Sequence, residues 1–202
     1  MPHAYAEIAF TPRVRAEQAR LGSDAAYAPM LAPGRDGGAE LTAREAQFLA
    51  ERDGFFQASV SETGWPYVQH RGGAPGFLKT LDPRTVAYAD YSGNRQYISL
   101  GNLLQDGRVS ILAVDFARRR RLKLLGRARI SEDPAIVEAL RGPDGPPAER
   151  AVVIHVEGFD WNCPQHIPRR LTDAEHGGEI ARLQARVAEL EARLAETSGR
   201  PA

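Results

Sequence analysis

The chain has 202 residues with 26 basic and 26 acidic side chains, so its formal net charge is zero. Hydrophobic residues make up 43% of it, charged residues 26%, and the mean hydropathy is −0.40, which excludes a disordered chain and a bundle of membrane spans. A neutral chain has no overall attraction to nucleic acid or to an acidic membrane, so we expect neither partner. Any anion-binding site must therefore be a local cluster of cations.

The cysteine content and the N-terminal residues indicate a cellular compartment. The single cysteine, Cys163, excludes an internal disulfide and a zinc site made of several cysteines. The first thirty residues are rich in charge and contain no apolar run of signal-peptide length. Both features predict a cytoplasmic protein.

Residues 1–53 are predicted to form an N-terminal helical arm. A short helix is expected from Arg13 to Leu21. Thr42 and Glu45 have the spacing of a capping box, in which a hydroxyl caps the helix and a carboxylate three residues later returns a hydrogen bond. We expect the helix that they open to end at Gly54.

Residues 54–175 are predicted to form an antiparallel sheet, because short segments rich in β-branched and aromatic residues alternate with Gly, Pro and Asp turns. Apolar side chains at helical spacing between Arg95 and Leu104 predict one helix inside this region. A second short helix is expected from Pro134 to Leu140. The expected strands are Phe55–Val60, Pro66–Arg71, Phe77–Leu81, Thr85–Asp90, Val109–Asp115, Leu122–Ile130 and Ala151–Phe159.

Residues 176–202 predict a C-terminal amphipathic helix that resembles a coiled coil. Its large apolar residues alternate at spacings of three and four, the a/d pattern of a heptad repeat, over roughly 21 Å. About two heptads are few for an independent coiled coil. The helix either packs along its own domain or pairs with its copy in a homodimer, and we favour pairing because the surrounding residues are strongly charged. The apolar residues are Ile180, Leu183, Val187, Leu190 and Leu194.

A first candidate ligand-binding segment, residues 69–79, joins two predicted strands through a glycine-rich turn. Glycines allow the backbone to approach a ligand closely, and the flanking cations Arg71 and Lys79 can hold a phosphate. In the alternative interpretation, this is an ordinary turn with exposed basic residues.

A second candidate segment, residues 90–102, ends a strand and begins a helix. A helix N-terminus with free N–H groups attracts anions. In the alternative interpretation, Ser92 or Asn94 caps this helix and Arg95 is solvated. The polar candidates of the segment are Asn94, Arg95, Gln96, Ser99 and Asn102.

A run of four arginines, Arg118 to Arg121, is predicted to form a hairpin turn. Such runs are usually solvated, and nucleic-acid binding needs additional basic patches and stacking aromatic residues. We expect one or two of the four side chains to point inward.

Four side chains near the end of the sheet region are of types that ligate metals: His155, Glu157, Cys163 and His166. Strand alternation puts His155 and Glu157 on one face, but the other two follow in a proline-containing turn without an established ligand spacing. We therefore predict no metal site and interpret these residues as a cross-strand polar pair and a buried thiol. His166 is a candidate for lining a ligand cleft.

Several segments, in order, resemble successive motifs of the pyridoxamine 5'-phosphate oxidase-like FMN-binding split barrels. They are residues 71–79, residues 93–96 after the strand 86–90, residues 108–112 and residues 121–128. The likeness covers roughly residues 55–161. The resemblance implies a mainly β fold, a six-stranded antiparallel Greek-key split barrel, which forms a homodimer with one FMN in each of two clefts between subunits.

The resemblance also implies roles for individual residues. Arg71 and Arg121 match positions that orient the flavin, and Trp161 resembles a late aromatic residue beside it. Ser99 and Asn102 are looser candidates from the helix that follows the phosphate-binding turn. The residues that match the phosphate contacts are Lys79, Asn94, Arg95 and Gln96.

The function implied is that of an FMN-dependent oxidoreductase that acts on a small organic molecule, with NADH or NADPH as a candidate donor. No catalytic acid or base is assigned, because the flavin itself carries out hydride or electron transfer. Two alternatives are open: a non-catalytic module that binds or senses flavin, and a split barrel that uses deazaflavin or haem. Vitamin B6 phosphate is not the expected substrate, because residues 157–166 replace the arginine-rich substrate signature of the oxidase and Gln96 replaces a lysine.

Overall fold

The computed structural model describes residues 1–34, 37–142 and 145–198. The chain folds into two compact units, one of residues 1–115 and 120–164 and the other of residues 116–119 and those from 165 onward. By contacts, the first 53 residues therefore belong to the same unit as the sheet. The predicted division into three segments at residues 53 and 175 stays a prediction.

Seven strands form one sheet in the first unit, and all neighbouring strands are antiparallel. They are β1 (Gly54–Val60), β2 (Pro66–Gly72), β3 (Lys79–Asp82), β4 (Thr85–Tyr91), β5 (Arg108–Asp115), β6 (Arg120–Ser131) and β7 (Ala148–Asn162). Their order in the sheet is β2-β1-β5-β6-β7-β4-β3. The strands β5, β6 and β7 follow one another, and β4 lies beside β7, which is a Greek-key arrangement.

The mainly β fold is confirmed, and every predicted strand is present with boundaries that shift by at most three residues. The sheet has seven strands, however, and not the six that the resemblance implied. The shortest strand is β3, which pairs with β4 through a register shift between Thr80 and Asp82.

The described residues also contain seven α-helices and a 3-10 turn at Ala28–Leu31. None of these helices has both the length and the apolar composition that crossing a membrane requires. The helices are α1 (Ala4–Ala9), α2 (Pro12–Arg20), α3 (Asp24–Tyr27), α4 (Ala43–Ala50), α5 (Ile98–Gln105), α6 (Pro134–Arg141) and α7 (Asp173–Ser198).

The capping box predicted at the start of α4 is confirmed. The Thr42 N–H donates to Glu45 Oε2 at 3.0 Å, and Glu45 Oε1 accepts from the indole Nε1 of Trp161 at 2.7 Å. The helix ends earlier than predicted, at Ala50. The side chain of Arg52 explains this end, because its Nε folds back and donates to the Phe48 carbonyl at 3.1 Å.

The sheet curls around its core, so that strands far apart in its order come into contact. Gln57 in β1 and Tyr88 in β4 are both buried, and the Tyr88 hydroxyl donates to Gln57 Oε1 at 2.9 Å. Beside this bond, the Phe55 ring stacks on Phe77 with centroids 5.4 Å apart. Burial raises the pKa of Tyr88 well above its usual range, so the hydroxyl stays protonated and can donate.

The second unit consists mainly of α7. A capping box that the sequence analysis missed begins this helix: the Thr172 N–H donates to Glu175 Oε2 at 3.0 Å, and the Glu175 N–H donates to Thr172 Oγ1 at 3.3 Å. The helix therefore starts at Asp173, before the predicted residue 176. Residues 199–202 of the predicted helix lie outside the described residues.

We predict that Glu45 stabilises the fold in a pH-dependent manner. Burial raises its pKa, but hydrogen bonds from Thr42 and Trp161 outweigh burial and lower the pKa below the ordinary value of 4.5. A carboxyl group with a depressed folded-state pKa stabilises the protein above its unfolded-state pKa and loses this contribution as the pH falls through the folded-state pKa. The Glu45→Gln variant should therefore be less stable than the wild type above pH 4.5, with a difference that shrinks on acidification.

Urea unfolding followed by tryptophan fluorescence at several pH values measures this difference in free energy. A gap that widens as the pH falls would contradict the role assigned to the Glu45 carboxylate.

Candidate anion-binding cleft

A cleft of about 260 Å³ opens in the first unit where β2, β4, β7 and the start of α5 meet. Side chains on β2 alternate between half-buried and exposed, and the half-buried Gln69 and Arg71 line the cleft. Strand β4 contributes Asp90, and β7 contributes Arg150. The turn of residues 92–97 forms the remaining wall, so the lining is predominantly polar.

The turn before α5 has a strained backbone. Arg95 and Tyr97 adopt left-handed conformations with φ of 59° and 53°, which residues other than glycine rarely adopt. These conformations delay the helix, which starts at Ile98 and not at Arg95 as predicted. Within the part of the chain that the structure describes, no side chain caps α5, so the alternative in which Ser92 or Asn94 caps it is wrong. The first residues of α5 line the cleft without a side-chain cap on their N–H groups.

Asp90 binds two arginines at the centre of the cleft. Its Oδ1 lies 2.7 Å from Arg71 Nη1, and its Oδ2 lies 3.1 Å from Arg150 Nη1. The side chains are largely buried, with exposed fractions of 17% for Arg71, 11% for Arg150 and 9% for Asp90. Each guanidinium also has a buried Nε that lacks a hydrogen-bond partner within the described residues. Buried donors are nearly always paired, so these two are exceptions beside the cleft.

A chain of polar contacts links Arg150 to the exposed Arg95. Arg95 Nε donates to the Tyr97 hydroxyl at 3.2 Å, and this hydroxyl donates to Glu149 Oε1 at 3.3 Å. Arg150 Nη2 lies 2.6 Å from Glu149 Oε2, and its guanidinium lies 5.3 Å from the centroid of the Tyr97 ring. With Asp90 included, the three guanidinium groups that line the cleft face two carboxylates, which leaves one positive charge.

The hydrogen bonds of this chain keep its cations protonated. Burial alone would lower the pKa of Arg150, but its hydrogen bonds to Asp90 and Glu149 raise the pKa above the usual value. The hydrogen bond to Tyr97 likewise raises the pKa of the exposed Arg95. Both guanidinium groups are therefore charged at neutral pH.

Five of the nine residues predicted to bind the cofactor line this cleft. Ser99 Oγ donates to Gln69 Oε1 at 3.0 Å and thereby connects α5 to β2. Asn94 Oδ1 accepts from the Gln96 N–H at 3.2 Å, which shapes the turn. Their contacts with a ligand stay predictions. The five residues are Arg71, Asn94, Arg95, Gln96 and Ser99.

Lys79 and Asn102 do not line the cleft. Lys79 lies on β3, opposite Ala87 of β4. Asn102 lies on the buried face of α5, where its Nδ2 donates to Ser59 Oγ at 3.0 Å. Both residues are close in the sequence to segments that line the cleft. The strand pairing directs Lys79 elsewhere, and the helical turn does the same for Asn102.

The glycine-rich turn after β2 has a structural role that the sequence analysis did not foresee. The Gly73 N–H donates to the Asp53 carbonyl at 2.9 Å, and the Gly76 N–H donates to the Arg52 carbonyl at 3.4 Å. A Cβ at Gly73 would lie only 2.8 Å from the buried Phe77 ring. These backbone amides are therefore used inside the protein, and the turn serves to bury Phe77.

The other two predicted residues, Arg121 and Trp161, also lie outside the cleft lining. Arg121 Nη2 donates to the Cys163 carbonyl at 3.0 Å. The Trp161 ring packs against α4, with its centroid 4.8 Å from that of Phe48, and Arg120 lies 4.7 Å above it.

The expectation for the arginine run agrees with the structure. Arg120 and Arg121 are half-buried, whereas Arg118 and Arg119 are exposed. The two inner side chains make the contacts with Trp161 and with the Cys163 carbonyl described above. They therefore support the end of β7.

The metal-capable residues near the C-terminal end of the sheet lie apart from the cleft. Cys163 is exposed, so the prediction of a buried thiol is wrong, because its turn lies at the surface. Glu157 forms a cross-strand ion pair with Arg127 at 2.7 Å, and His155 is exposed. His166 is not among the residues that line the cleft. Within the described ranges, no three such side chains come together in a group that could hold a metal ion.

The sequence analysis missed Arg150 and assigned no role to Asp90. Arg150 lies 60 residues beyond Asp90 in the chain, and only the pairing of β4 with β7 brings the two together. Locally, Glu149 followed by Arg150 has the pattern of any solvated ion pair. The one available signal was the polar end of an otherwise apolar strand at Asp90, since a charge next to a buried run needs a partner.

Residues 41–163 match the family model described as pyridoxamine 5'-phosphate oxidase, which is more than half of the chain. The chain belongs to the pyridoxamine 5'-phosphate oxidase family. The segment matched in this family includes the whole cleft, from Tyr67 to Arg150, together with the sheet that positions it. A comparison with curated protein sequences gave no match.

This family member is similar to solved structures at low sequence identity. HupZ from Group A Streptococcus is 18% identical with a TM-score of 0.51, over 65% of this chain and 100% of that one. An FMN-binding protein from Syntrophomonas wolfei is 11% identical with a TM-score of 0.47, over 59% of this chain and 85% of that one. A protein from Clostridium acetobutylicum related to general stress protein 26 is 16% identical with a TM-score of 0.47, over the same shares.

We predict that Asp90→Ala lowers the free energy of unfolding by about 3–5 kcal/mol, because it leaves two buried guanidinium groups without their shared partner. Glu138→Ala is the matched control, since Glu138 pairs with Arg141 at 2.6 Å but its side chain is 65% exposed. An exposed pair contributes at most about 1 kcal/mol. Urea denaturation of both variants measures the contrast, and equal losses would show that Asp90 does not hold the cleft together.

Proposed function

We propose that this chain is a flavin-binding split-barrel protein, specifically an FMN-dependent oxidoreductase that acts on a small organic molecule at a flavin enclosed between two copies of the chain. The observation that carries the proposal is the cluster of three arginines at the uncapped start of α5, with two buried Nε donors that lack partners within the described residues. Membership in the pyridoxamine 5'-phosphate oxidase family supports a flavin as the ligand.

The cleft suits the phosphate group of FMN. A phosphate carries close to two negative charges and several strong acceptor oxygens, which favour charge-assisted hydrogen bonds. Arg71, Arg95 and Arg150 would supply their guanidinium groups, and the first turn of α5 its N–H groups. We thus assign to Arg150 the cationic role that the sequence analysis gave to Lys79. Asn94 and Gln96 would complete the polar wall.

The cleft of one chain is too small to bury a whole flavin nucleotide. Its 260 Å³ lies below the range of about 300–1,000 Å³ in which pockets bury a drug-sized ligand. A neighbouring cavity of about 180 Å³ shares Gln69, Arg71 and Asp90 with the cleft and adds the aromatic rings of Phe77 and Tyr88. Both cavities are open to solvent, and we propose that a second copy of the chain covers the ligand bound in them.

An exposed apolar face supports this homodimer. The side chains of Phe56, Val68 and Trp65 on or beside β1 and β2 are 39%, 60% and 75% exposed. Phe56 stands directly opposite the half-buried Leu112 of β5, so both lie on the same face of the sheet. Contiguous apolar surface of this kind marks sites of protein association.

The homodimer also decides the role of two predicted residues. Arg121 and Trp161 do not line the cleft of their own chain. They keep their predicted contact with the flavin ring only if they reach the ring bound to the other copy. Trp161 is meanwhile held by Glu45 and Phe48, which accounts for its position without a ligand.

The protein's own side chains would bind, orient and shield the cofactor. A bound flavin supplies hydride or electron transfer at its ring, so the protein needs no nucleophile or general base of its own. Asp90 fixes the two buried guanidinium groups in place before a ligand arrives, which lowers the entropic cost of binding. NADH or NADPH is the proposed donor, and the substrate is a small organic molecule other than vitamin B6 phosphate.

We predict that Arg95→Ala and Arg150→Gln each weaken FMN binding by about 1–3 kcal/mol, or roughly 5- to 150-fold in Kd, because each removes a charged contact to the phosphate. Arg129→Ala is the control, since Arg129 is exposed on β6 outside the cleft and should leave Kd unchanged. Quenching of FMN fluorescence on titration with protein measures Kd. Unchanged affinity in both cleft variants would show that this cleft does not bind the phosphate of FMN.

We further expect the holoprotein to show the absorption bands of oxidised FMN, to be bleached by NADH or NADPH, and to recover them when an electron acceptor is added. Stopped-flow spectroscopy measures both half-reactions. A Soret band would identify haem as the cofactor instead of FMN, and a deazaflavin spectrum would identify a deazaflavin. A holoprotein that binds FMN but resists both nicotinamides and chemical reductants would instead be a non-catalytic flavin module.

A further inference from the structure

An apolar stripe on α7 is largely uncovered. The helix has 26 residues and a length of about 39 Å. Five large aliphatic side chains share one face, with exposed fractions of 52% for Ile180, 51% for Leu183, 54% for Val187, 48% for Leu190 and 69% for Leu194. An amphipathic helix normally buries such a stripe, so this face is suited to contact with another helix.

The residue types along the stripe favour a particular partner. In the heptad repeat, Ile180, Val187 and Leu194 occupy a positions, and Leu183 and Leu190 occupy d positions. β-branched residues at a combined with leucine at d favour a parallel coiled coil of two strands. The first two a residues are β-branched and both d residues are leucine, so the stripe matches that pattern.

The charges beside the stripe select the parallel orientation. Arg186 occupies a g position and Glu191 the following e position, so a parallel pair sets Arg186 of each copy against Glu191 of the other. In an antiparallel pair, g positions face g positions. In either register that keeps the apolar residues in contact, Arg186 then lies opposite an arginine of the other helix. One of those registers also pairs Glu179 with Arg193, but the parallel pair alone has no like charges facing each other.

We propose that α7 binds the α7 of a second copy as a parallel, two-stranded coiled coil. The inference deepens the homodimer of the proposed function and rests on it, because about two heptads are too short to associate firmly alone. A contact elsewhere between the two copies raises the effective concentration of one α7 at the other, which makes a short coil sufficient. Arg186 now pairs with Glu189 of its own helix at 2.6 Å and exchanges this exposed partner for Glu191 of the second copy.

Cysteine cross-linking of the full chain tests the orientation. In a Cys163→Ser background, Leu183→Cys and Leu190→Cys place a thiol at each d position, and Ala185→Cys places one on the outer face as the control. In a parallel pair, both d positions lie beside their own copies, so oxidation should give covalent dimers about tenfold faster than for the control. An antiparallel pair in either of those registers brings only one of the two positions near its copy and leaves the other about 15–17 Å away along the helix axis.

The outcomes separate this inference from the proposed function. Fast cross-linking at both d positions supports the parallel coil, whereas fast cross-linking at one or at neither overturns it. Sedimentation of the same variants under reducing conditions reports the homodimer independently. A dimer that fails to cross-link contradicts only the α7 pairing, and a monomer contradicts the homodimer itself.

A charge exchange tests the proposed ion pairs. Arg186→Glu in the Leu190→Cys protein should slow cross-linking by about fivefold, since two attractive pairs become repulsive. The double change Arg186→Glu with Glu191→Arg should restore the rate, although the bond to Glu189 is still lost. A rate that stays low in the double variant would show that Arg186 acts only within its own helix.

Discussion

The cleft depends on one buried carboxylate. Asp90 separates the guanidinium groups of Arg71 and Arg150, which would otherwise repel each other in a largely desolvated space. The two arginines come from β2 at one edge of the sheet and from β7 beyond its middle, so the same ion pairs also close the curled sheet. Removing one member of such a buried group leaves an uncompensated charge, so the arrangement is stable only when all three residues are present.

The turn that follows β4 completes the cleft at the expense of backbone strain. Left-handed conformations at Arg95 and Tyr97 turn the chain sharply between the strand and α5. Strain of this kind persists only where surrounding contacts hold it, and here the Tyr97 hydroxyl is held between Arg95 and Glu149. The polar network therefore positions the turn as well as the cations.

Local patterns in the sequence predicted most of the fold. The β-branched segments predicted every strand, and the spacing of Thr42 and Glu45 predicted the start of α4, because both features depend only on neighbouring residues. The exact start of α5 was not predictable in this way. It depends on left-handed residues, and the polar sequence around Arg95 and Tyr97 carries no glycine at these positions that would signal them.

The composition of the cleft was predictable only in part. The segment from Asn94 to Ser99 was identified because it directly precedes a helix. Arg150 was missed, and Lys79 lies outside the cleft lining, because their positions depend on which strands pair and on how strongly the sheet curls. Information of that kind lies in contacts between residues tens of positions apart and not in any short motif.

The buried hydrogen bond between Gln57 and Tyr88 has a further consequence for how the chain selects one fold. Side chains alternate along a strand, so a slip of β1 by one residue would turn Gln57 outward and Phe56 inward. The Tyr88 hydroxyl would then be left without a partner in an apolar interior, a penalty that purely hydrophobic strands could not impose. This pair thus discriminates against misaligned sheets during folding, a contribution to conformational uniqueness that its modest net stabilisation of the native state would not reveal.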